Sequence, residues 1–360
     1  MAANADISSV LQEKVLDAIA QHIPMRIVGR NTKAFYGRAD VSEPLSVAGH
    51  CGVISYEPTE LVITARAGSS LAEIEALLAT QGQMLPFEPP YFGAQAEDTL
   101  GGTIACGFSG PRRPYAGSVR DVVLGVKVLT GKGEILKFGG QVMKNVAGFD
   151  VSRLMVGALG TLGVLLEISL KVLPKAESEK TQVFSCDVQE AIRRMNAWAG
   201  QSLPLSAAMF ADGQLYIRLS GSHAGLSEAC RNLGGESLAE SDALWSSVRD
   251  HAHVFFQGDS SLWRISVPPA TPLIDISGSW LIEWGGAQRW LKTSMASEAV
   301  RERVAAAKGH ATLFRGSGLQ GPQGQIFHPL SPALMALHQR LKAEFDPHGI
   351  LNRGRMYADW

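Results

Sequence analysis

Cysteine is scarce in this chain, and what there is lies scattered. Cys51, Cys106, Cys186 and Cys230 stand far apart, with no CxxC pair and no Cys/His grouping at zinc spacing. That excludes an iron–sulfur cluster or a zinc module bound by this chain alone, and leaves reduced, semi-buried thiols of a reducing compartment. Charge of one sign is missing too. The formal net charge is −1 over 360 residues with the basic residues dispersed, so nothing draws the chain toward nucleic acid or an acidic membrane. The longest apolar run, "VGALGTLGVLLEISLKVLP", is broken by Glu167 and Lys171 and is too short to span a bilayer. The N-terminal "MAANADISSVLQEKV" carries acids and no apolar centre, unlike a secretory signal. GxxxxGK[ST] occurs nowhere, which rules out a P-loop. The expectation is a cytoplasmic protein, any contact with the inner membrane being peripheral and made through a partner.

What is present is a globular composition, 46% hydrophobic and 19% charged, long enough for two domains. "MRIVGRNTKAFYG" (25–37) reads as a strand and a polar, glycine-bounded turn. Over 61–86 an alternating strand stops at Gly68. A helix follows with Ser70 and Glu73 as its capping box and Leu71, Ile74, Leu77 and Leu78 as its apolar face. Residues 119–138 read as a hairpin around "TGKG", and Asp150 as the N-cap of a helix over 151–156. From Val164 the pattern alternates until Pro174, a domain boundary.

Beyond 175 the pattern becomes that of an α+β domain of antiparallel strands with helices on one face. It holds strand "TQVFSC", helix "DVQEAIRRMNAWAG", a hairpin turning at Asp212–Gly213, a helix over 239–254, strands "LWRISVPP" and "WLIEWGG", a helix over 296–308 and strand "HATLF". A C-terminal helix starts at Ser331–Pro332, with Leu334, Leu337, Leu341 and Phe345 as its buried stripe.

Two glycine-dense runs fall in one half of the chain: "LGGTIACGFSG" (100–110) and "KNVAGFDVSRLMVGALGTLG" (144–163). Glycine lets main-chain N–H groups press against a ligand, so two such loops point to one long, phosphate-bearing ligand held by backbone. "GALGTLG" follows a helix and precedes a strand, the reverse of a dinucleotide fingerprint. The ligand is therefore held by loops spread over an α+β domain.

The stretch from "TLGGTIACGFSG" to "LEISLKVLP", with "AGSSLAEIEALL" and "FDPHGILNRGRMY", resembles the FAD-binding domain of FAD-linked oxidases, the vanillyl-alcohol-oxidase (PCMH) type. "GPRRPYAGSVRD" with "KNVAGFDVSRLMVG" resembles the FAD-binding E-subunit family of bacterial glycolate oxidases. The resemblance implies an α+β fold: a PCMH-type FAD-binding domain of two α+β subdomains (1–174), an α+β antiparallel-sheet cap (175–326), and a helix and tail returning to the FAD domain (327–360). It implies FAD as cofactor and, residue by residue, Gly29, Asn31, Thr32 and Lys33 as the first pyrophosphate loop, with Arg30 where the family more often has glycine. Gly101, Gly102, Thr103, Ile104 and Ala105 would line the flavin and ribityl chain. Gly107 and Ser109 would lie near the diphosphate, and Gly160, Thr161, Gly163 and Val164 along the adenine. Asn352 and Arg353 would return near the flavin ring.

Arg112, Arg113 and Arg120 read equally as anion attractors and as surface or partner-facing cations, Arg120 also as an ion-pair partner of Asp121. Lys144 beside Asn145 leans to function. Arg264, on an apolar strand, needs a buried partner, and with Arg113 it is a candidate for a substrate carboxylate. His251 and His253 lie on a helical pattern that does not suit a metal pair, and no metal is expected. Relatives that oxidise 2-hydroxy acids carry an H-x-G-D-G-N-x-H segment, which "KGHATLFRGSGLQGPQGQIFHPLS" lacks. The implied role is an FAD-binding subunit of a glycolate oxidase or dehydrogenase complex, beside a catalytic flavin subunit and an iron–sulfur subunit, converting glycolate to glyoxylate. An assembly module with weak or no FAD, and a stand-alone FAD-dependent 2-hydroxy-acid dehydrogenase, are the alternatives.

Overall fold

The computed structural model describes residues 4–93, 97–140, 150–316, 325–358 and 360. Two antiparallel sheets organise it. The first has five strands, ordered edge to edge Val53–Glu57, Val62–Arg66, Val164–Lys171, Val123–Leu129 and Ile135–Gly139. The second has eight, ordered Glu236–Ser237, Ser178–Ser185, Gln214–Gly221, Leu205–Ala211, Ser279–Glu283, Gln288–Lys292, Leu262–Ser266 and His310–Arg315. A short parallel pair, Met25–Val28 with Glu43–Ser46, stands apart, and the chain joining its strands forms one wall of the site described below.

The strand Val164–Lys171 has an alternating sequence, yet both its faces are buried. Leu165, Ile168 and Leu170 pack with Leu71, Ile74 and Leu78 of the helix Leu71–Ala79 and with Leu100 and Ile104 of the helix Leu100–Cys106. Val164 and Leu166 pack on the other side with Leu11 and Val15 of the N-terminal helix Ser8–Gln21. A central strand covered from both sides buries its polar positions as well, and Ser169 settles its hydroxyl 2.8 Å from that of Thr64.

Several expected elements form as read. Asp150 accepts from Arg153 N at the start of Val151–Leu154. The hairpin turning at Asp212–Gly213 has φ of 49° and 75° there, the left-handed pair of a two-residue turn. Others differ. Ser70 stands at its helix N-cap without a capping bond, its backbone being drawn into a bridge with Thr99. Residues 119–122 form a helical turn closed by the Ser118/Asp121 capping box, and the hairpin strands begin only at Val123. The helix expected over 239–254 ends at Arg249, and a 3₁₀ turn follows at Val254–Phe256. The helix His223–Leu233 and the strand Gln288–Lys292 were hidden by polar sequence. In that strand Arg289 is wholly buried and donates to Gly286 O at 3.1 Å, Pro272 O at 2.8 Å and Thr271 O.

The C-terminal helix Pro332–Phe345 corrects the sequence reading most. Leu334 and Leu337 are 48% and 44% exposed, Leu341 and Phe345 half-buried, and the buried residue is Lys342. The helix docks by its last turns, where Lys342 Nζ donates to the carbonyls of Thr161 and Leu351 and is neutralised by Asp346 at the helix's own end, not along an apolar stripe. Among the described residues no helix is long and apolar enough to cross a membrane.

Candidate functional site

The chain leaving Val28 enters the loop Gly29–Lys33. A Cβ at Gly29 would lie 2.5 Å from Thr99 Oγ1, so glycine allows the loop to close on the N-terminus of the helix Leu100–Cys106. Thr99 caps that helix, accepting from Gly102 N. Asp98, wholly buried, ties the loop down: it accepts from Lys33 Nζ, from Thr32 Oγ1 at 2.6 Å, and from Phe92 N and Gly93 N at 2.9 and 3.1 Å. Burial alone would raise the Asp98 pKa; the Lys33 ammonium and these donors outweigh it and hold the group below its usual value.

The opposite wall is the 157–163 loop. It hangs on the helix through Gly157 N to Ile104 O (3.0 Å) and Leu159 N to Ala105 O (2.8 Å). Gly160, at φ +71°, faces Asn352, whose Nδ2 a Cβ there would approach to 2.7 Å. Asn352 returns from the C-terminal tail, donates to Leu159 O at 2.5 Å and accepts from Ile27 N at 2.7 Å. It thereby bolts the first strand to the glycine loop. Lys342 Nζ holds the tail in place, donating to Thr161 O and Leu351 O, both at 2.7 Å, and to Asp346 Oδ2 at 2.6 Å.

These walls border an open cavity with about 910 Å³ of non-atom space, the open solvent at its mouth included. Of the residues singled out in the sequence, Gly29, Asn31, Thr32, Lys33, Gly101, Gly102, Ala105, Gly160, Gly163 and Asn352 line it, as does Arg30. The others do not. On the helix Leu100–Cys106 the cavity face is 101, 102, 105 and 106, so Thr103 and Ile104 point away, both fully buried. Gly107 is the left-handed C-cap of that helix. Ser109 accepts from Val119 N at 3.0 Å and borders a second cavity. Thr161 donates back to Ala158 O at 2.6 Å, fully buried, and Val164 is core. Arg353 is exposed, and Arg355 lines the cavity in its place. Lys144 and Asn145 lie outside the described residues.

Two properties of this cavity were not legible in the sequence. Among the described residues it is lined by Arg26, Arg30, Lys33 and Arg355 and by no Asp or Glu. The main-chain N–H groups of residues 29–33 meet no protein acceptor among the described residues. Successive free N–H groups in a positive cavity form a concave anion site.

At the Tyr36 end the cavity meets an aromatic wall. Tyr36, buried, packs with its ring tilted against Phe108 (4.7 Å between ring centres) and Phe314 (5.5 Å). Beyond that wall a second, smaller cavity is lined by Arg264, His251, Glu283, Gln288, Trp290 and others. Arg264 donates to Gln288 Oε1 at 2.9 Å, and Gln288 Nε2 to Glu283 Oε1 at 3.1 Å. Burial pushes the Glu283 carboxyl up to about 7. His251 stacks on Phe256 at 4.1 Å, and burial holds its pKa well below the usual value. His253 accepts from Phe255 N, and the described residues hold no group of three or more metal-ligating side chains.

The two candidate carboxylate anchors, 151 positions apart, meet here. The Arg113 and Arg264 guanidiniums lie over the Trp284 ring at 4.4 and 5.4 Å. Burial and the charge of Arg264 lower the Arg113 pKa. Arg112 is spent elsewhere, in a cluster with Glu88, Glu179 and Arg218 that ties the loops at residues 88 and 112 to the eight-stranded sheet. Arg120 donates to Val156 O, while Asp121 closes its own capping box.

Comparison with known proteins agrees with this geometry. The FAD binding domain family matches residues 8–139. Glycolate oxidase subunit GlcE of Escherichia coli is 47% identical over 359 residues, covering 100% of both chains. Glycolate oxidase subunit GlcD of Bacillus subtilis is 36% identical over 119 residues, 33% of this chain and 25% of that one. Among solved structures, 4-ethylphenol oxidase from Gulosibacter chungangensis superposes with a TM-score of 0.68 at 14% identity, covering 98% of this chain and 88% of that one, a likeness of fold. A relation at 47% identity that runs the whole length of both chains fixes the family: this chain belongs to the family of glycolate oxidase subunit GlcE, FAD-linked proteins built on the PCMH-type domain.

Proposed function

We propose that this chain is the FAD-carrying subunit of a complex that oxidises glycolate to glyoxylate, working beside a second flavin subunit and an iron–sulfur subunit. The supporting observation is the lining of the large cavity: among the described residues it has four cations, no carboxylate and five consecutive N–H groups without protein acceptors. A dinucleotide diphosphate is an anion of the right charge for such a lining. The residues that hold FAD are then Gly29, Asn31, Thr32 and Lys33 around the diphosphate, with Gly101, Gly102 and Ala105 along one side and Gly160, Gly163 and Asn352 along the other. Thr103, Ile104, Gly107, Ser109, Thr161 and Val164 support these walls from behind.

FAD supplies the hydride acceptor; the chain supplies orientation, charge and a dry environment. The aromatic wall of Tyr36, Phe108 and Phe314 excludes water from the inner end of the cavity. Arg264 and Arg113, sharing one indole, are the anchors for a small carboxylate. The chain lies in the cytoplasm and reaches the inner membrane only through its complex.

The test is an absorbance spectrum of the purified chain, followed by anaerobic glycolate. Flavin bands that persist with glycolate are the expected result, and mean a flavin carrier that depends on its partners. Bands that bleach mean that the chain oxidises substrate unaided. A colourless chain that takes up no added FAD overturns the assignment and leaves an assembly module.

A further inference from the structure

The four cations of the cavity are not equivalent. Lys33 is neutralised by Asp98. Arg355 spends its guanidinium on the chain itself, donating to Arg38 O and Tyr36 O at 2.7 Å and to Ala34 O at 2.9 Å. Arg30 is exposed, where water screens its charge. Arg26 remains. It sits half-buried on the strand Met25–Val28, with one nitrogen 3.2 Å from Asn31 Oδ1. Its Nε is buried and has no hydrogen-bond partner among the described residues. A buried guanidinium N–H without an acceptor is costly, and native proteins satisfy such groups through ordered water or a ligand when no protein atom does.

The position is also rigid. The strand is pinned on one side by Glu43–Ser46 and on the other by Met25 N donating to Ile350 O at 2.6 Å. Asn31, at φ +62°, belongs to the loop with the free N–H groups and steadies the guanidinium through its Oδ1. Loop and guanidinium thus border one space from two sides.

We infer that Arg26 is the side-chain clamp for the diphosphate of the bound dinucleotide, adding a forked, charged contact to the main-chain donors of residues 29–33. The inference rests on the FAD reading of this cavity. It assigns recognition of the phosphate half of the ligand to a residue outside the glycine loops. A planar guanidinium gives two parallel N–H bonds to phosphate oxygens, which a lysine cannot reproduce.

The experiment titrates the full-length apo chain with FAD and separately with riboflavin, which has the ring and no phosphate, reading flavin fluorescence. For Arg26→Gln the expected result is FAD affinity weaker by about 10–100-fold with riboflavin affinity unchanged, and a shallower dependence of FAD binding on salt. Arg26→Lys falls between, and carries the test alone should the glutamine variant not fold. FAD affinity unchanged in the variants, while the wild type binds FAD, overturns the clamp and leaves the cofactor reading standing. Equal losses for FAD and riboflavin also overturn it, making Arg26 a structural residue of the strand. A wild type that binds neither flavin sinks the cofactor reading, and the clamp with it.

Discussion

Replacing Asp346 with alanine tests how the C-terminal tail holds the site. Asp346, 2% exposed, does three things: it pairs with Lys342 Nζ at 2.6 Å, and accepts from Ile350 N at 3.1 Å and Leu351 N at 2.8 Å. Its carboxylate fits so closely against Gly131 that a Cβ there would lie 2.2 Å from Oδ1. Asp346→Ala leaves the Lys342 ammonium, 7% exposed, with two carbonyls and no counter-charge, and frees two N–H groups. Breaking a buried pair from one side costs about 3–5 kcal/mol. At about 2 °C per kcal/mol for a large chain, the melting temperature falls by roughly 6–10 °C. Lys342→Met is milder, because Asp346 keeps both N–H donors. Thermal unfolding of the flavin-free variants reads the order. Asn352, six residues further on, loses its anchor too, so flavin content per chain falls with Asp346→Ala. A melting temperature within about 2 °C of wild type, or a larger loss for Lys342→Met, refutes the latch.

Two further outcomes follow from named contacts. Gly160→Ala meets Asn352 Nδ2 at 2.7 Å and must hold φ +71°, for a loss of about 2–3 kcal/mol and a lower flavin content. Gly82→Ala has φ +61° with nothing within 4 Å and costs about 1 kcal/mol from strain alone; equal losses in unfolding titrations refute the Gly160–Asn352 contact. Glu283, raised from 4.5 to about 7 by burial, favours folding in its protonated form. Its contribution is complete below pH 4.5 and is lost as pH rises through 7, roughly 3 kcal/mol in all. Urea midpoints of wild type and Glu283→Gln should therefore converge toward low pH and part toward neutral pH, and parallel profiles over pH 4.5–8 rule this out.

What the sequence made legible is what short-range rules govern. The hairpin at Asp212–Gly213 and the cap at Asp150 are decided within a few residues, and both form as read. Glycine density marked the walls at 100–110 and 157–163, and the family resemblance added the loop at Gly29; a side chain at Gly29 would meet Thr99, and one at Gly160 would meet Asn352. It did not tell which residues of a wall face inward. In "GGTIAC" that is settled by helical periodicity, which places 101, 102, 105 and 106 on one face and sends 103 and 104 into the core. Applying the 3.6-residue period inside the glycine run would have removed Thr103 and Ile104 from the lining.

Periodicity failed where charge carries the packing. The spacing of Leu334, Leu337, Leu341 and Phe345 is that of a buried stripe, yet Leu334 and Leu337 face solvent, and the helix is held through Lys342 by the carbonyls of Thr161 and Leu351 and by Asp346. A lysine in a helix is ordinarily surface, and nothing local marks this one. The same holds for the cavity's charge. A net charge of −1 excludes a global field but says nothing of one pocket, where Arg26 and Arg355 are brought together from opposite ends of the chain. Arg113 and Arg264 likewise come from different sheet systems to share Trp284. In this fold the glycines decide where the main chain approaches a ligand, and the arginines that meet there by topology decide its charge. The first is written locally and the second is not, which is why the cavity could be read from the sequence and its chemistry required the fold.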